Sequence, residues 1–194
     1  YTTLDAVTGI KQRTTEANRH KLSWNKVKGA DGYEIRFYDE NAAKYVTVGT
    51  VKNSVCTLSR LKSASVYKYK IRAVSTASNG KKIYSKFSPA FTAVTGAPDV
   101  TGFKQTETGE SGYKLTWDAA ENAQGYYLYC YSEETGDYER LAILNRTSYK
   151  ITGKQSAQRD TYKIQSYAAV NGKRVSGKAV LLEAAAKPKK TELQ

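Results

Sequence analysis

Polar and apolar residues alternate along much of the chain with a period of two. Lys21-Leu22-Ser23-Trp24 alternates, and Tyr33-Glu34-Ile35-Arg36-Phe37 puts Tyr33, Ile35 and Phe37 on one face. Tyr67-Lys68-Tyr69-Lys70-Ile71-Arg72-Ala73 continues the pattern. Successive strand side chains point to opposite sides, so this period in aromatic and β-branched residues predicts half-buried strands. No segment carries the 3.6-residue period of an amphipathic helix. Asn79-Gly80 and Asn171-Gly172 predict hairpins with type I′ turns, in which both central residues take positive φ. Short strands closed by regular turns predict an all-β, antiparallel sandwich of about seven strands per unit.

The pattern occurs twice. Val7-Thr8-Gly9-Ile10-Lys11-Gln12 returns as Val100-Thr101-Gly102-Phe103-Lys104-Gln105, and Lys21-Leu22-Ser23-Trp24 returns as Lys114-Leu115-Thr116-Trp117. Ala30, Gly32 and Tyr33 fall on Ala123, Gly125 and Tyr126 at the same spacing. After one deletion Asn79-Gly80-Lys81 falls on Asn171-Gly172-Lys173. Self-similarity at a fixed period marks a duplicated unit, here of about ninety residues, a common size for a small domain. Pro98-Asp99 is the expected junction. That gives a first domain over 1–97, a second over 98–186 and a linker tail over 187–194.

Trp24, the Tyr33-x-Ile35-x-Phe37 strand, and Leu61 followed by Tyr67 resemble a fibronectin type III domain. The resemblance implies a tyrosine corner, in which the Tyr67 hydroxyl bonds back to upstream backbone. Gly29-Ala30-Asp31-Gly32-Tyr33-Glu34-Ile35 and the stretch from Asn79 to Ser88 resemble the version found in extracellular, cell-surface modular proteins of Gram-positive bacteria. The second unit departs: Lys154 stands where Leu61 stands, and Asp160 where Tyr67 stands. It is therefore expected to lack the corner while keeping a core of Leu115, Trp117, Tyr126, Leu128 and Ile164. The resemblance implies no catalysis and no cofactor. It implies a non-catalytic spacer and interaction module that positions other domains.

Composition narrows the chemistry. Two cysteines rule out a disulfide-dense scaffold, and one histidine rules out most His-based metal and acid–base sites. Cys56 and Cys130 read as inert core thiols. His20 reads as a surface residue leading into the second strand. The acidic pairs Asp39-Glu40 and Glu133-Glu134 lack the alternating pattern of a calcium loop and read as solvated charge. Phosphate loops and nucleophile elbows are absent from the sequence, so no catalytic or metal residues are assigned. No apolar run is long enough to cross a bilayer, so no membrane insertion is expected. With Tyr1 at the start and no Met, the sequence is expected to be a mature product or a piece of a longer protein.

Charge then separates the two halves. The net charge is +13, and residues 1–97 hold 17 Lys+Arg against 6 Asp+Glu, whereas 98–186 hold 11 of each. Alternation puts Arg36, Lys68, Lys70 and Arg72 on one outer face, with Lys81, Lys82 and Lys86 at or near the hairpin. That basic face is a candidate polyanion site. In the second unit Tyr127, Tyr129, Tyr131 and Tyr167 take the outer face, an exposed aromatic patch suited to a glycan or a neighbouring domain. The expected partners are neighbouring domains of a parent chain and a cell-surface glycan or anionic polymer. A monomer is expected, with no specific nucleic-acid partner.

Overall fold

The computed structural model describes residues 3–189. The chain divides into two compact units, Tyr1–Thr95 and Gly96–Gln194, a division two residues before the expected junction. The first contains β1 (Lys11–Thr15), β2 (Arg19–Ser23), β3 (Gly32–Asp39), β4 (Lys44–Val51), β5 (Val55–Ser59), β6 (Val66–Thr76), β7 (Lys82–Tyr84) and β8 (Phe91–Val94). One sheet has the order β1-β2-β5. The other runs β4-β3-β6, with β7 and β8 both paired to β6 as two pieces of one broken last strand.

The second unit repeats this order. Its strands are β9 (Lys104–Thr106), β10 (Gly112–Thr116), β11 (Gly125–Ser132), β12 (Asp137–Leu144), β13 (Ser148–Thr152), β14 (Arg159–Val170), β15 (Lys173–Ser176) and β16 (Val180–Ala185). They form β13-β10-β9 and β12-β11-β14, with β15 and β16 both on β14. All pairings are antiparallel. Of the expected tail, Lys187 N–H donates to Gly109 O at 2.8 Å and Lys189 N–H to Ser156 Oγ at 2.8 Å. Those residues therefore lie along the second unit, and the rest of the tail is outside the described residues.

The repeated hexapeptide has a structural reason at nearly every position. Val7 and Val100 are buried in their cores. Gly9 and Gly102 adopt φ of +67° and +64°, and a Cβ there would run into Asn25 and Asp118 respectively. Ile10 and Phe103 pack against the cores. Gln12 then acts as a strand in miniature: its Nε2 donates to Val94 O at 2.7 Å, and Val94 N–H donates back to Oε1 at 3.0 Å. Gln105 does the same with Ala185, at 2.8 and 2.9 Å. Each glutamine thus joins the two sheets and satisfies backbone groups that the gap between them leaves open.

The cores are closely matched. Trp24 meets Tyr33 edge-on at 5.3 Å, and Trp117 meets Tyr126 at 5.5 Å. The Tyr33 hydroxyl accepts from Val27 N–H, as Tyr126 accepts from Ala120 N–H, both at 2.9 Å. The tyrosine corner forms as expected, with Lys62 N–H donating to Tyr67 Oη at 2.8 Å. In the second unit Lys154 Nζ pairs with Asp160 Oδ1 at 3.0 Å in its place.

Two expectations need correction. His20 is not a surface residue. It lies within β2, fully buried, with Nε2 at 3.1 Å from Tyr69 Oη and its ring edge-on to Tyr67 and Tyr69. Only the second hairpin has the type I′ signature. Asn171 and Gly172 both have positive φ, whereas in the first hairpin Gly80 does and Asn79 does not. The first unit has one more residue there. Its turn closes with Gly80 N–H to Ala77 O at 2.8 Å and Ala77 N–H to Lys81 O at 2.9 Å, a longer loop with glycine in the left-handed position.

Candidate functional site

The outward face of β4-β3-β6 in the first unit is a ladder of cations and rings. β3 lays Arg36 directly opposite Lys70 of β6, and Glu34 opposite Arg72. Glu34 is 7% exposed and accepts from both arginines: Arg36 Nε at 2.6 Å, and Arg72 Nη2 at 2.7 Å. Burial works to raise its pKa, but the hydrogen bonds and charges of Arg72 and Arg36 outweigh it and hold the carboxyl below its ordinary value. The Arg72 guanidinium lies over Tyr84 at 3.8 Å and Phe87 at 4.6 Å, and that of Arg36 lies over Phe87 at 4.8 Å. Lys70 Nζ lies over Tyr45 at 4.6 Å, and Lys68 Nζ over Tyr38 at 5.8 Å.

The fold therefore brings Arg36, Lys68, Lys70 and Arg72 together. It does not bring Lys81, Lys82 and Lys86 into the ladder: they are exposed at the hairpin and at the break between β7 and β8, without a side-chain bond to it. Glu34, Tyr38, Tyr45, Tyr84 and Phe87 complete the site and were not singled out from the sequence. Alternation carried a signal for Glu34 and Tyr38, which share the parity of Arg36 on β3. Phe87 sits in the broken strand, where no period applies.

In the second unit the four tyrosines do share the outer face, but they are not equally exposed. Tyr127 is buried, at 7% exposure, which corrects the expectation of an exposed residue. It stacks on Tyr167 at 4.5 Å, and Arg174 Nη1 donates to its hydroxyl at 2.8 Å. Arg174 also lies over Tyr167 at 5.0 Å. Lys163 Nζ sits between Tyr129, at 4.6 Å, and Tyr138, at 4.4 Å. Tyr131 is 43% exposed and meets Tyr138 edge-on at 5.4 Å. Tyr38 meets Tyr45 in the same way in the first unit, at 5.3 Å. Beside this face Ile143 and Leu181 are exposed at 53% and 58%.

The buried reactive groups are occupied structurally. Burial lowers the pKa of His20 to about 4, so the ring is neutral at pH 7. Burial also raises the Cys56 thiol to about 11 and pushes up Cys130, which suppresses the thiolate that reactivity needs. Both cysteines are free. Asp160 accepts from Lys154 and from the Tyr113 hydroxyl at 2.8 Å, and Tyr113 and Tyr162 share a hydrogen bond of 3.0 Å. Asp39 Oδ1 accepts from the N–H groups of Asn41 and Ala42, closing its loop. Among the described residues no three His, Cys, Asp or Glu side chains gather in a group that could hold a metal ion.

Comparison with known proteins agrees with this architecture. The family pattern "Fibronectin type III domain" matches residues 5–87. No curated protein matches the chain. Among solved structures, a two-domain fibronectin type III segment of chicken tenascin is similar over 93% of this chain and 99% of its own, with a TM-score of 0.52 and 14% identity. Chicken CNTN1 FN1–FN3 domains align over 95% of this chain and 68% of that one, with a TM-score of 0.44 and 14% identity.

Proposed function

Two domains of the fibronectin type III fold stand in tandem in this chain, and we propose that they form a non-catalytic spacer and interaction module of a larger extracellular or cell-surface protein. The observation that carries this reading is the use of the side chains with chemical potential. His20 and Cys56 are built into the first domain's core, the part-buried Lys154–Asp160 pair closes a corner of the second, and the cations and rings of the outer faces are paired with one another. Such faces are surfaces for contact, and among the described residues no nucleophile and base stand together in a cleft. Its partners are neighbouring domains of the parent chain, with the first domain's outer face as the surface that meets a soluble or wall-bound polymer.

A glycan stacked on the second domain's tyrosines has less to hold, because Tyr131 is the exposed one of the four predicted residues. The test is to incubate the chain with neutral glycans, acidic glycans and teichoic-acid-like polymers at low and high salt, following both binding and polymer length. Every polymer is expected to keep its length. Neutral glycans are expected to stay unbound at either salt. A shortened polymer would overturn the non-catalytic reading, and salt-resistant binding of a neutral glycan would move the contact surface to the tyrosines.

A further inference from the structure

The outer face of the first domain carries more positive charge than its own acid can neutralise, and its two lysines are held in place by rings rather than by carboxylates. Arg36, Lys68, Lys70 and Arg72 face one carboxylate, Glu34. An aromatic ring attracts a cation without cancelling its charge or using its N–H donors. Lys68 and Lys70 pair with no carboxylate among the described residues, and Arg36 spends its Nε on Glu34 while its terminal amines stay unpaired. Arg36 and Lys70 stand directly opposite each other across two strands, an arrangement of like charges that costs stability unless an anion lies between them.

Spacing adds a second argument. Outward residues along one strand recur every two positions, roughly 6.5 to 7 Å apart. Lys68, Lys70 and Arg72 of β6 therefore make a straight row of cations at that pitch. Holding the side chains over rings also lowers the entropy lost when a ligand orders them.

We propose that this face binds a linear polymer whose sulfate or phosphate esters recur at intervals of about 7 Å, laid along β6 with one oxyanion bridging Arg36 and Lys70. The inference rests on the reading of the chain as an interaction module, and names the surface and the ligand chemistry. Glu34 has a positioning role: its two carboxylate oxygens hold both guanidiniums on the face.

The experiment uses the full chain with dextran sulfate, poly(glycerol phosphate) and neutral dextran, titrated across a salt series. Lys68→Gln/Lys70→Gln removes two charges from the face without breaking an ion pair. Lys11→Gln/Lys21→Gln removes the same charge from the opposite sheet of the same domain. The expected result is salt-sensitive binding to one or both charged polymers and none to neutral dextran. The β6 variant should bind on the order of tenfold more weakly, with the slope of log K against log salt smaller by about one to two. The matched variant should stay within about twofold of the parent chain. Which charged polymer binds more tightly identifies the ester. Equal weakening in both variants would reduce the attraction to net charge and overturn the proposal. So would absence of binding at low salt. Failure of the module reading would look different, as a polymer bound and then shortened.

Discussion

The same corner of the two domains is built from neutral groups in one and from charges in the other. In the first domain His20 and Tyr69 share a hydrogen bond of 3.1 Å, and Tyr67 accepts from the Lys62 backbone beside Leu61. In the second, Tyr113 and Tyr162 take the places of His20 and Tyr69, Asp160 that of Tyr67, and Lys154 that of Leu61. There the carboxylate of Asp160 gathers Lys154, Tyr113 and Gln158. The difference teaches that the sandwich does not require a particular polar chemistry at this corner. It requires that the hydroxyls, the ring Nε2 and the charges gathered there pair with one another. A neutral solution and an ionic one of similar shape are both compatible with the fold, but they fail under different conditions.

The largest failure is expected on the ionic side. Asp160→Ala strands the Lys154 ammonium, which is 18% exposed, and leaves the Tyr113–Tyr162 hydroxyl pair one acceptor short. Breaking a buried pair from one side costs about 3 to 5 kcal/mol, and this part-buried one is expected at the lower end of that range. Hydrogen exchange read separately on the two domains should show the second losing that much protection and the first unchanged. A loss below about 1 kcal/mol would mean that water, rather than Asp160, solvates Lys154.

Acid should break the neutral side next. His20 is held at about 4 in the folded domain, against an ordinary value near 6.5. The unfolded chain therefore binds more protons between those values, and stability is lost as the pH falls from 6.5 towards 4. At 1.36 kcal/mol per pKa unit the loss approaches about 3 kcal/mol. Glu34 acts in a lower window. Its depressed pKa gives stability that is present above the unfolded carboxylate value and lost as the pH passes below the folded one. The second domain has Tyr113 in place of His20 and should show no step between pH 6.5 and 4 from this position. His20→Phe should remove the step from the first domain, and a step that persists in that variant would assign it elsewhere.

A smaller effect tests the corner bond itself. Tyr67→Phe removes the acceptor for Lys62 N–H and should cost the first domain about 1 kcal/mol, read as a shifted urea midpoint. No shift would mean that the ring's packing, not its hydroxyl, holds the corner.

Much of this comparison was legible before any coordinates. The duplicated strands, the Trp–Tyr cores and the loss of the corner at Asp160 follow from alternation and from the repeat. A lone polar residue at a strand start reads as solvated in the sequence, and the hydroxyl that partners buried His20, that of Tyr69, lies 49 residues away. The four cations of the basic face were placed by parity alone. Glu34 is invisible to a charge sum over the domain, which does not reveal one acid lying under two arginines. Tyr127 was expected to be exposed because parity assigns a face, whereas exposure depends on Tyr167 and Arg174 lying over it. The first hairpin misled because Asn-Gly marks a turn, while loop length decides which residue takes positive φ.

The smallest expected effect separates the two outer faces. Tyr38 and Tyr131 occupy equivalent places and meet Tyr45 and Tyr138 with nearly the same geometry. They differ in what lies across the strand: Lys68 sits over Tyr38 at 5.8 Å, and its counterpart in the repeat is Thr161, which has no charge. Replacing either tyrosine by Ala removes a cross-strand aromatic pair worth a few tenths to about 1 kcal/mol. Tyr38→Ala also removes a cation–π contact worth about 0.5 kcal/mol at an exposed site. Urea midpoints of the two variants should therefore differ in that direction and by about that amount. Equal shifts would show that Lys68 gains nothing from the ring, so that the row of cations along β6 would be fixed by Tyr45, Tyr84, Phe87 and Glu34.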